Sequence, residues 1–299
     1  MFKAIMRSLR PSQWYKNFII FLALIFSHNL MNPMAWMDSI TAFVIFCMLS
    51  GSLYLMNDIM DAEDDKKHPV KCKRPIASGE LKKSHAFFIF IVLLSGSLYI
   101  SSIVNYAFLL ISVLYFVLLF AYNLKLKYIV LVDVLTISAG FVLRAIAGAV
   151  ALTVSISPWL IICTFLLALF LAFGKRRHEL VLLGDDAKNH RKILDEYTVP
   201  LLEQMTLIVT SALIVSYLLY TFFASTHYMM VTIPFLVYGL FRYLLLVHSQ
   251  DFGGEPEMLF KDKGMLFSIS IWAILVAVVL YFVPDGSTNL IYILNNVGI

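Results

Sequence analysis

Apolar residues are grouped in blocks near 17 to 31, 36 to 57, 85 to 103, 105 to 122, 129 to 151, 157 to 174, 205 to 224, 229 to 248 and 264 to 284, each closed by polar or turn residues. Such blocks are too long for the core of a soluble domain. At the α-helical rise of about 1.5 Å per residue they match a hydrocarbon layer of roughly 30 Å. The pattern predicts an all-α fold, a polytopic bundle of nine transmembrane helices forming one domain over residues 1–299. Only Ser101, Ser102 and Asn105 separate the third block from the fourth, so that boundary is the least marked. Residues 1–16 read as an interfacial N-terminal segment: Phe2, Ile5, Met6 and Leu9 oppose Lys3 and Arg7 in a short helix that ends before Pro11. The first block is expected to be a span and not a removable signal, since F-S-H-N-L has no small-residue cleavage pattern and more spans follow.

Charge gives the block pattern a direction. All 23 Lys and Arg residues except Arg144 and Arg242 lie in residues 1–16, 58–84, 123–129, 175–192 and 249–263, which are every second connection. The positive-inside rule then predicts a cytoplasmic N-terminus, an extracytoplasmic C-terminus and a multi-pass protein of the cell membrane. Loops 58–84 and 175–204 are expected to lie over an active site on the cytoplasmic face. With 61% hydrophobic and 14% charged residues, the chain has no room for a soluble catalytic domain, a nucleic-acid-binding face or a disordered tail. Any chemistry must sit in the bundle or at its edge, among membrane lipids. Three cysteines, two of them in apolar spans, form neither a disulfide framework nor a zinc site. A homo-oligomer is compatible with the sequence, which does not fix the oligomeric state.

The chemistry begins where the second span ends, in Y-L-M-N-D-I-M-D-A-E-D-D. On a continuous helix, Asn57, Asp58, Asp61 and Asp65 would fall within an arc of about 100° and aim four oxygen-bearing groups at one point. Like charges at helical spacing repel, so the cluster calls for a cation. Hard oxygen ligands suit Mg²⁺, which commonly bridges carboxylates to substrate phosphates. A solvated acidic helix end facing Lys66 and Lys67 is the plainer alternative. Directly after it, K-K-H-P-V-K-C-K-R-P-I-A-S-G interleaves His68, Lys71 and Arg74 with prolines that stiffen the loop. Lys71 and Arg74 are the expected phosphate contacts, while Lys66, Lys67, Lys82 and Lys83 read as ordinary loop cations.

These residues carry a resemblance to the UbiA superfamily of intramembrane prenyltransferases, which implies nine helices and an N-D-x-x-D-x-x-x-D motif after the second. R-P-S-Q-W-Y-K-N (10–17), H-P-V-K-C-K-R-P-I-A-S-G (68–79), G-F-V-L-R-A-I-A-G (140–148), G-K-R-R-H-E (174–179) and G-G-E-P-E (253–257) narrow the resemblance to its phosphoribosyl-transferring branch. It implies Mg²⁺-dependent transfer of 5-phosphoribose from 5-phosphoribosyl 1-diphosphate to a polyprenyl phosphate. Aromatic prenyltransferases of the superfamily resemble one another in a second aspartate-rich motif after the sixth helix. Here that position holds Lys175, Arg176 and Glu179, which points to charge-assisted phosphate contact by the two cations. Asp185 and Asp186 further along are weaker candidates for a second metal site.

The remaining polar positions are few. Asp133 and Arg144 lie three turns apart on the fifth span. Arg144, deep in the helix, is expected to bond to other helices, whereas Asp133 is expected to orient a lysine or a ribose hydroxyl. Arg242 is read as snorkelling to the interface. Lys16 and Asn17, at the start of the first span, are placed to hold a lipid phosphate, and Tyr122 to line the cavity. The metal is thus expected on Asn57, Asp58, Asp61 and Asp65, and the catalytic groups are Asp58, Asp61, Asp65, Lys175, Arg176 and Glu179. Substrate would be bound by Lys16, Asn17, Asn57, His68, Lys71, Arg74, Tyr122 and Asp133. Two other readings stay open: a prenyltransferase using a prenyl diphosphate, and a transporter or flippase without chemistry.

Overall fold

The computed structural model describes residues 1–68, 70–183, 192–223, 227–249 and 262–283. Its α-helices are α1 (Phe2–Leu9), α2 (Leu22–Phe26), α3 (Pro33–Met60), α4 (Ala62–Lys67), α5 (Lys83–Val104), α6 (Tyr106–Leu124), α7 (Val132–Ala151), α8 (Pro158–Leu183), α9 (Val199–Phe222), α10 (Ile233–His248) and α11 (Lys263–Phe282). Among the described residues, eight helical segments are long and apolar enough to cross a membrane. Many large apolar side chains on them are exposed, including Phe88, Tyr99 and Ile103 of α5 and Leu114 and Val117 of α6. Apolar surface on this scale is stable against lipid and not against water. The chain is an all-helical, multi-pass membrane protein.

The first expected span is the one that departs from a continuous α-helix. Residues Pro11–Phe21 form a 3₁₀ helix, followed by α2. Its buried positions, Asn17 and Ile20, are three apart, the 3₁₀ period, in which side chains at i and i+3 eclipse. Because the 3₁₀ rise is about 2.0 Å per residue, residues 11–26 extend about 30 Å. The faint boundary at Asn105 is a one-residue break. Asn105 is extended, closes α5, and opens α6 by accepting a bond from the Phe108 N–H at 2.7 Å. Its amide also donates to the Val150 carbonyl at 3.0 Å.

The chain forms two compact units. The first comprises residues 1–127 and 139–156, and the second 128–138 and 157–299 as far as described. In the first unit α3 packs on α5 and α6 around Phe46, Phe108, Tyr115 and Leu49, while α1 covers Leu55, Ala62 and Leu81. In the second, α8 packs on α9 around Leu169, Phe170, Phe173, Leu213 and Tyr243. Arg242 is paired with Asp262, the N-cap of α11, at 2.9 Å.

A buried polar network fixes the 3₁₀ segment. Arg144, 5% exposed, donates from Nε to Asn17 Oδ1 at 2.8 Å, from Nη1 to the Gly140 carbonyl at 3.1 Å and from Nη2 to the Tyr115 hydroxyl at 2.5 Å. The Asn17 amide nitrogen faces Cys47 Sγ at 3.2 Å and Ser50 Oγ at 3.3 Å. This bears out the inter-helix role expected for Arg144. One turn along, Gly148 admits the backbone of the 3₁₀ segment: a Cβ there would lie 2.1 Å from the Ile20 carbonyl oxygen.

A methyl at that point meets main chain, which cannot rotate away. Gly148→Ala should therefore lower the detergent-solubilised protein's stability by about 1–3 kcal/mol, read as a drop in melting temperature. At Gly96 of α5 a Cβ meets only the end of the Met48 side chain at 3.6 Å. Gly96→Ala should be neutral or stabilising by up to about 1 kcal/mol. Equal melting temperatures for the two variants would contradict the close approach.

Candidate functional site

The acidic motif straddles the end of α3. Asp58 lies on its last turn and is 2% exposed, and Asp65 on α4 is also buried. Between them Asp61 caps both helices with φ −86° and ψ 4°, a bridge-region conformation in which the chain leaves α geometry. Its N–H still bonds to the Asn57 carbonyl at 2.9 Å, and its carbonyl accepts from Asp65 N–H at 2.8 Å.

Cations of the first unit meet these carboxylates one by one. Arg10 donates to Asp58 Oδ1 at 2.5 Å. Arg74 NH1 lies 3.2 Å from the same oxygen and 2.6 Å from Asp65 Oδ2, so one nitrogen links two carboxylates two turns apart. Asp61 turns instead to Lys127, whose Nζ is 3.3 Å from both of its oxygens. Asp58 and Asp65 meet on Arg74, whereas the break at Asp61 turns its carboxylate to Lys127, and among the described residues no three His, Cys, Asp or Glu side chains form a ready metal cluster. The donor chemistry still fits a hard divalent cation. The arginines use only Oδ1 of Asp58 and Oδ2 of Asp65, and Asp61 keeps 30% of its side chain exposed.

Local structure brings the arginines there. Arg10 ends α1 with φ 50° and ψ 64°, a left-handed conformation that costs a non-glycine residue about 1–2 kcal/mol. Its guanidinium gains the Asp58 pair and a place 4.9 Å from the Tyr54 ring centroid. Arg74 follows a 3₁₀ turn, Lys71–Lys73, in which His68 Nδ1 accepts from the N–H groups of Val70 (3.1 Å) and Lys71 (3.2 Å). The His68 ring proton therefore sits on Nε2, and this side chain staples the loop. Lys71 is half-buried on the same turn. Arg7 braces the loop from α1 through Glu80 at 2.9 Å and the Lys73 carbonyl at 2.8 Å. Hydrogen bonds from Lys83 and then Lys66 hold the exposed Glu63 carboxyl down at about 2. Its tie between α4 and α5 is thus complete above the ordinary glutamate pKa and is lost only as pH falls toward 2.

A second cluster belongs to the second unit. The helix α8 continues past Gly174, where a Cβ would stand 2.4 Å from the Tyr243 hydroxyl. Adjacent helical residues point about 100° apart, and Lys175 and Arg176 separate accordingly. Lys175 is exposed, whereas Arg176 is 2% exposed on the face that buries Leu169 and Phe173. Arg176 Nε donates to Asp133 Oδ2 at 2.8 Å, and its NH1 to Glu179 one turn on. Asp133, fully buried, also accepts from the Tyr197 hydroxyl at 3.3 Å. Of the two cations expected to contact phosphate, Lys175 is exposed while Arg176 is engaged by Asp133 and Glu179, and Asp133, expected to orient a lysine or a ribose hydroxyl, is met instead by an arginine and a tyrosine. Asp133 holds Arg176.

Three other expected residues are placed as follows. Asn17 is corrected from a surface phosphate ligand to a member of the Arg144 network, 1% exposed. Lys16 is half-buried with its ammonium 5.9 Å from the Tyr15 ring centroid, and Tyr122 is half-buried on the last turn of α6. Asp185, Asp186 and residues 253–257 lie outside the described residues. The sequence gives Arg10 no role beyond the R-P-S-Q-W-Y-K-N motif, counts Lys127 only as a topological charge and leaves Tyr197 unmarked. The signals available were an arginine held before Pro11 and an aromatic residue in the otherwise polar end of a loop.

Removing Arg74 would leave two buried carboxylates seven residues apart with less than half their cationic contacts. Arg74→Ala should cost about 3 kcal/mol of stability, and millimolar Mg²⁺ should restore part of the melting temperature. An unchanged melting temperature without metal would show that the pairs contribute nothing to the fold.

The UbiA prenyltransferase family profile matches residues 17–261. A decaprenyl-phosphate phosphoribosyltransferase of Corynebacterium glutamicum is 31% identical over 289 residues, covering 93% of this chain and 87% of the relative. Its namesake in Mycolicibacterium smegmatis is 29% identical, covering 93% and 92%. Among solved structures, a UbiA homolog from Archaeoglobus fulgidus bound to GPP and Mg²⁺ superposes with a TM-score of 0.70 at 16% identity, covering 92% of this chain and 97% of that one. Family profile, relatives and fold agree: this chain belongs to the UbiA prenyltransferase family and is a transferase of that superfamily.

Proposed function

We propose that the chain transfers 5-phosphoribose from 5-phosphoribosyl 1-diphosphate to a polyprenyl phosphate of the decaprenyl type, releasing diphosphate, at the cytoplasmic face of the cell membrane. The observation that carries this reading is the end of α8, where Lys175, Arg176 and Glu179 stand in place of a second set of aspartates. Relatives that bear the decaprenyl-phosphate phosphoribosyltransferase name over nine-tenths of the chain support it. The nine-span topology with the N-terminus inside belongs to the same proposal, with residues 11–26 as the ninth span.

In the reaction the bond between ribose C1 and the diphosphate oxygen breaks, and an oxygen of the lipid phosphate bonds to C1. The acceptor is already an anion, so no strong general base is required, and orientation contributes most. Mg²⁺ held by Asp58, Asp61 and Asp65 with Asn57 would supply positive charge beside the leaving diphosphate. Arg10, Arg74 and Lys127, which meet the carboxylates here, bind diphosphate oxygens when the donor enters. Lys71 adds to this group, and His68 keeps the loop in shape. Lys175 meets the 5-phosphate, and Glu179, presented by Arg176, a ribose hydroxyl. Lys16 binds the lipid phosphate at headgroup depth, Tyr122 lines the acceptor path, and Asn17 and Asp133 act by holding Arg144 and Arg176.

Purified protein incubated with ribose-labelled phosphoribosyl diphosphate and decaprenyl phosphate should place label in lipid, with one diphosphate released per label. Asp61→Asn should reduce this by at least about a hundredfold while the protein stays folded, since Asp61 is the accessible donor of the motif. Label entering lipid products only from a prenyl diphosphate would overturn the reading in favour of the other donor class.

A further inference from the structure

Tyr197 stands in the second unit, two residues ahead of α9. The turn Lys192–Glu196 buries Ile193 and Leu194, and Tyr197 follows at 3% exposure, its ring in the same core as Phe170 and Tyr243. Packing alone would be met by phenylalanine. The hydroxyl does something further: it accepts the Leu131 N–H at 2.9 Å and donates to Asp133 Oδ1 at 3.3 Å. A phenol has one proton, so accepting from Leu131 commits that proton to Asp133. Burial, opposed by the Leu131 bond and assisted by the Asp133 carboxylate, raises the Tyr197 phenol above its ordinary value and keeps it a donor.

The chain of contacts then continues through Asp133 Oδ2 to Arg176 and from Arg176 to Glu179. At its start Leu131 holds φ 64°, a left-handed conformation that a leucine disfavours and that opens α7 just ahead of Asp133. One hydroxyl thus fixes both the backbone that aims Asp133 and the carboxylate itself. Asp133 is wholly buried, so without Tyr197 its Oδ1 would lose this bond where water cannot replace it.

We propose that Tyr197 is a positioning residue for the diphosphate donor: through Asp133 it sets the plane of Arg176 and so the direction of Glu179. This rests on the transferase reading above in assigning the end of α8 to donor binding. It needs no substrate contact by Tyr197.

A double-mutant cycle tests it, using wild type, Tyr197→Phe, Arg176→Ala and the double variant in the full-length purified protein. Tyr197→Phe should raise donor KM about tenfold and leave the KM for the lipid acceptor unchanged. The double variant should be no worse than Arg176→Ala alone, because the hydroxyl acts through the guanidinium. Should Arg176→Ala fail to fold, Arg176→Lys, which keeps the charge and removes the planar fork, takes its place. A wild-type donor KM in folded Tyr197→Phe, or additive effects, would overturn the inference. Calorimetric binding of ribose 5-phosphate, which carries the sugar hydroxyls and the 5-phosphate without the diphosphate, runs through the same cycle and should weaken in Tyr197→Phe, with no further loss in the double variant over Arg176→Ala. If the wild type transfers a prenyl group and no phosphoribose, the functional reading falls, while a raised prenyl diphosphate KM in Tyr197→Phe with non-additivity still supports Tyr197; additive effects on either donor overturn the inference.

Discussion

The pairing of Asp58 with Arg10 and Arg74 is the interaction on which the acidic end of the first unit depends. Asp58 is 2% exposed at the end of a membrane-spanning helix, where an unpartnered carboxylate would be severely destabilising. The need to partner it accounts for features that otherwise look unrelated. Arg10 accepts a left-handed backbone, the loop of residues 68–81 is stapled by His68 and braced by Arg7, and Arg74 links Asp58 to Asp65 two turns on. The same rule builds the second unit's cluster, where buried Arg176 finds Asp133 and Glu179. It also builds the core around Arg144, whose partners are an amide, a carbonyl and a phenol.

These ion pairs give the chemistry a starting state. A cluster of aspartates with no cation nearby would repel itself and distort the end of α3, whereas guanidinium groups hold the carboxylates in place ahead of a substrate. Arginine suits this task because its planar fork bonds equally well to carboxylate and to phosphate. On the proposed reading, a donor diphosphate arriving with a divalent cation would exchange partners among charges already present, the cation taking carboxylate oxygens and the arginines phosphate oxygens.

Much of this was legible in the sequence because hydrophobic blocks of bilayer length have few alternative structures. Eight of the nine expected spans are helices at nearly the expected positions, and even the faint boundary at Asn105 is a true break. The 3₁₀ form of the first segment is not legible because nothing local distinguishes a 3₁₀ from an α-helix in N-F-I-I-F-L-A-L-I-F; the features that meet it, Gly148 and Arg144, lie more than a hundred residues away. The site was read at the level of residue type and missed at the level of partners. Arg74 was picked out by its flanking prolines, but Arg10 and Lys127 look like any interfacial cation until their carboxylates are located. Lys175 and Arg176 share one expected role in the sequence, phosphate contact, and helix geometry turns them to different faces, leaving Arg176 buried.

The central claim is that the N-D-x-x-D-x-x-x-D carboxylates, held by the chain's own cations, form a diphosphate and divalent-cation site by exchange of partners. Anomalous scattering from crystals grown with Mn²⁺ and inorganic diphosphate measures this directly. The account predicts a manganese peak within coordination reach of Asp58, Asp61 and Asp65, with the Arg10 and Arg74 guanidinium groups moved from carboxylate to diphosphate oxygens. Manganese bound elsewhere, or the Arg10–Asp58 and Arg74–Asp65 pairs intact beside a bound diphosphate, would contradict it.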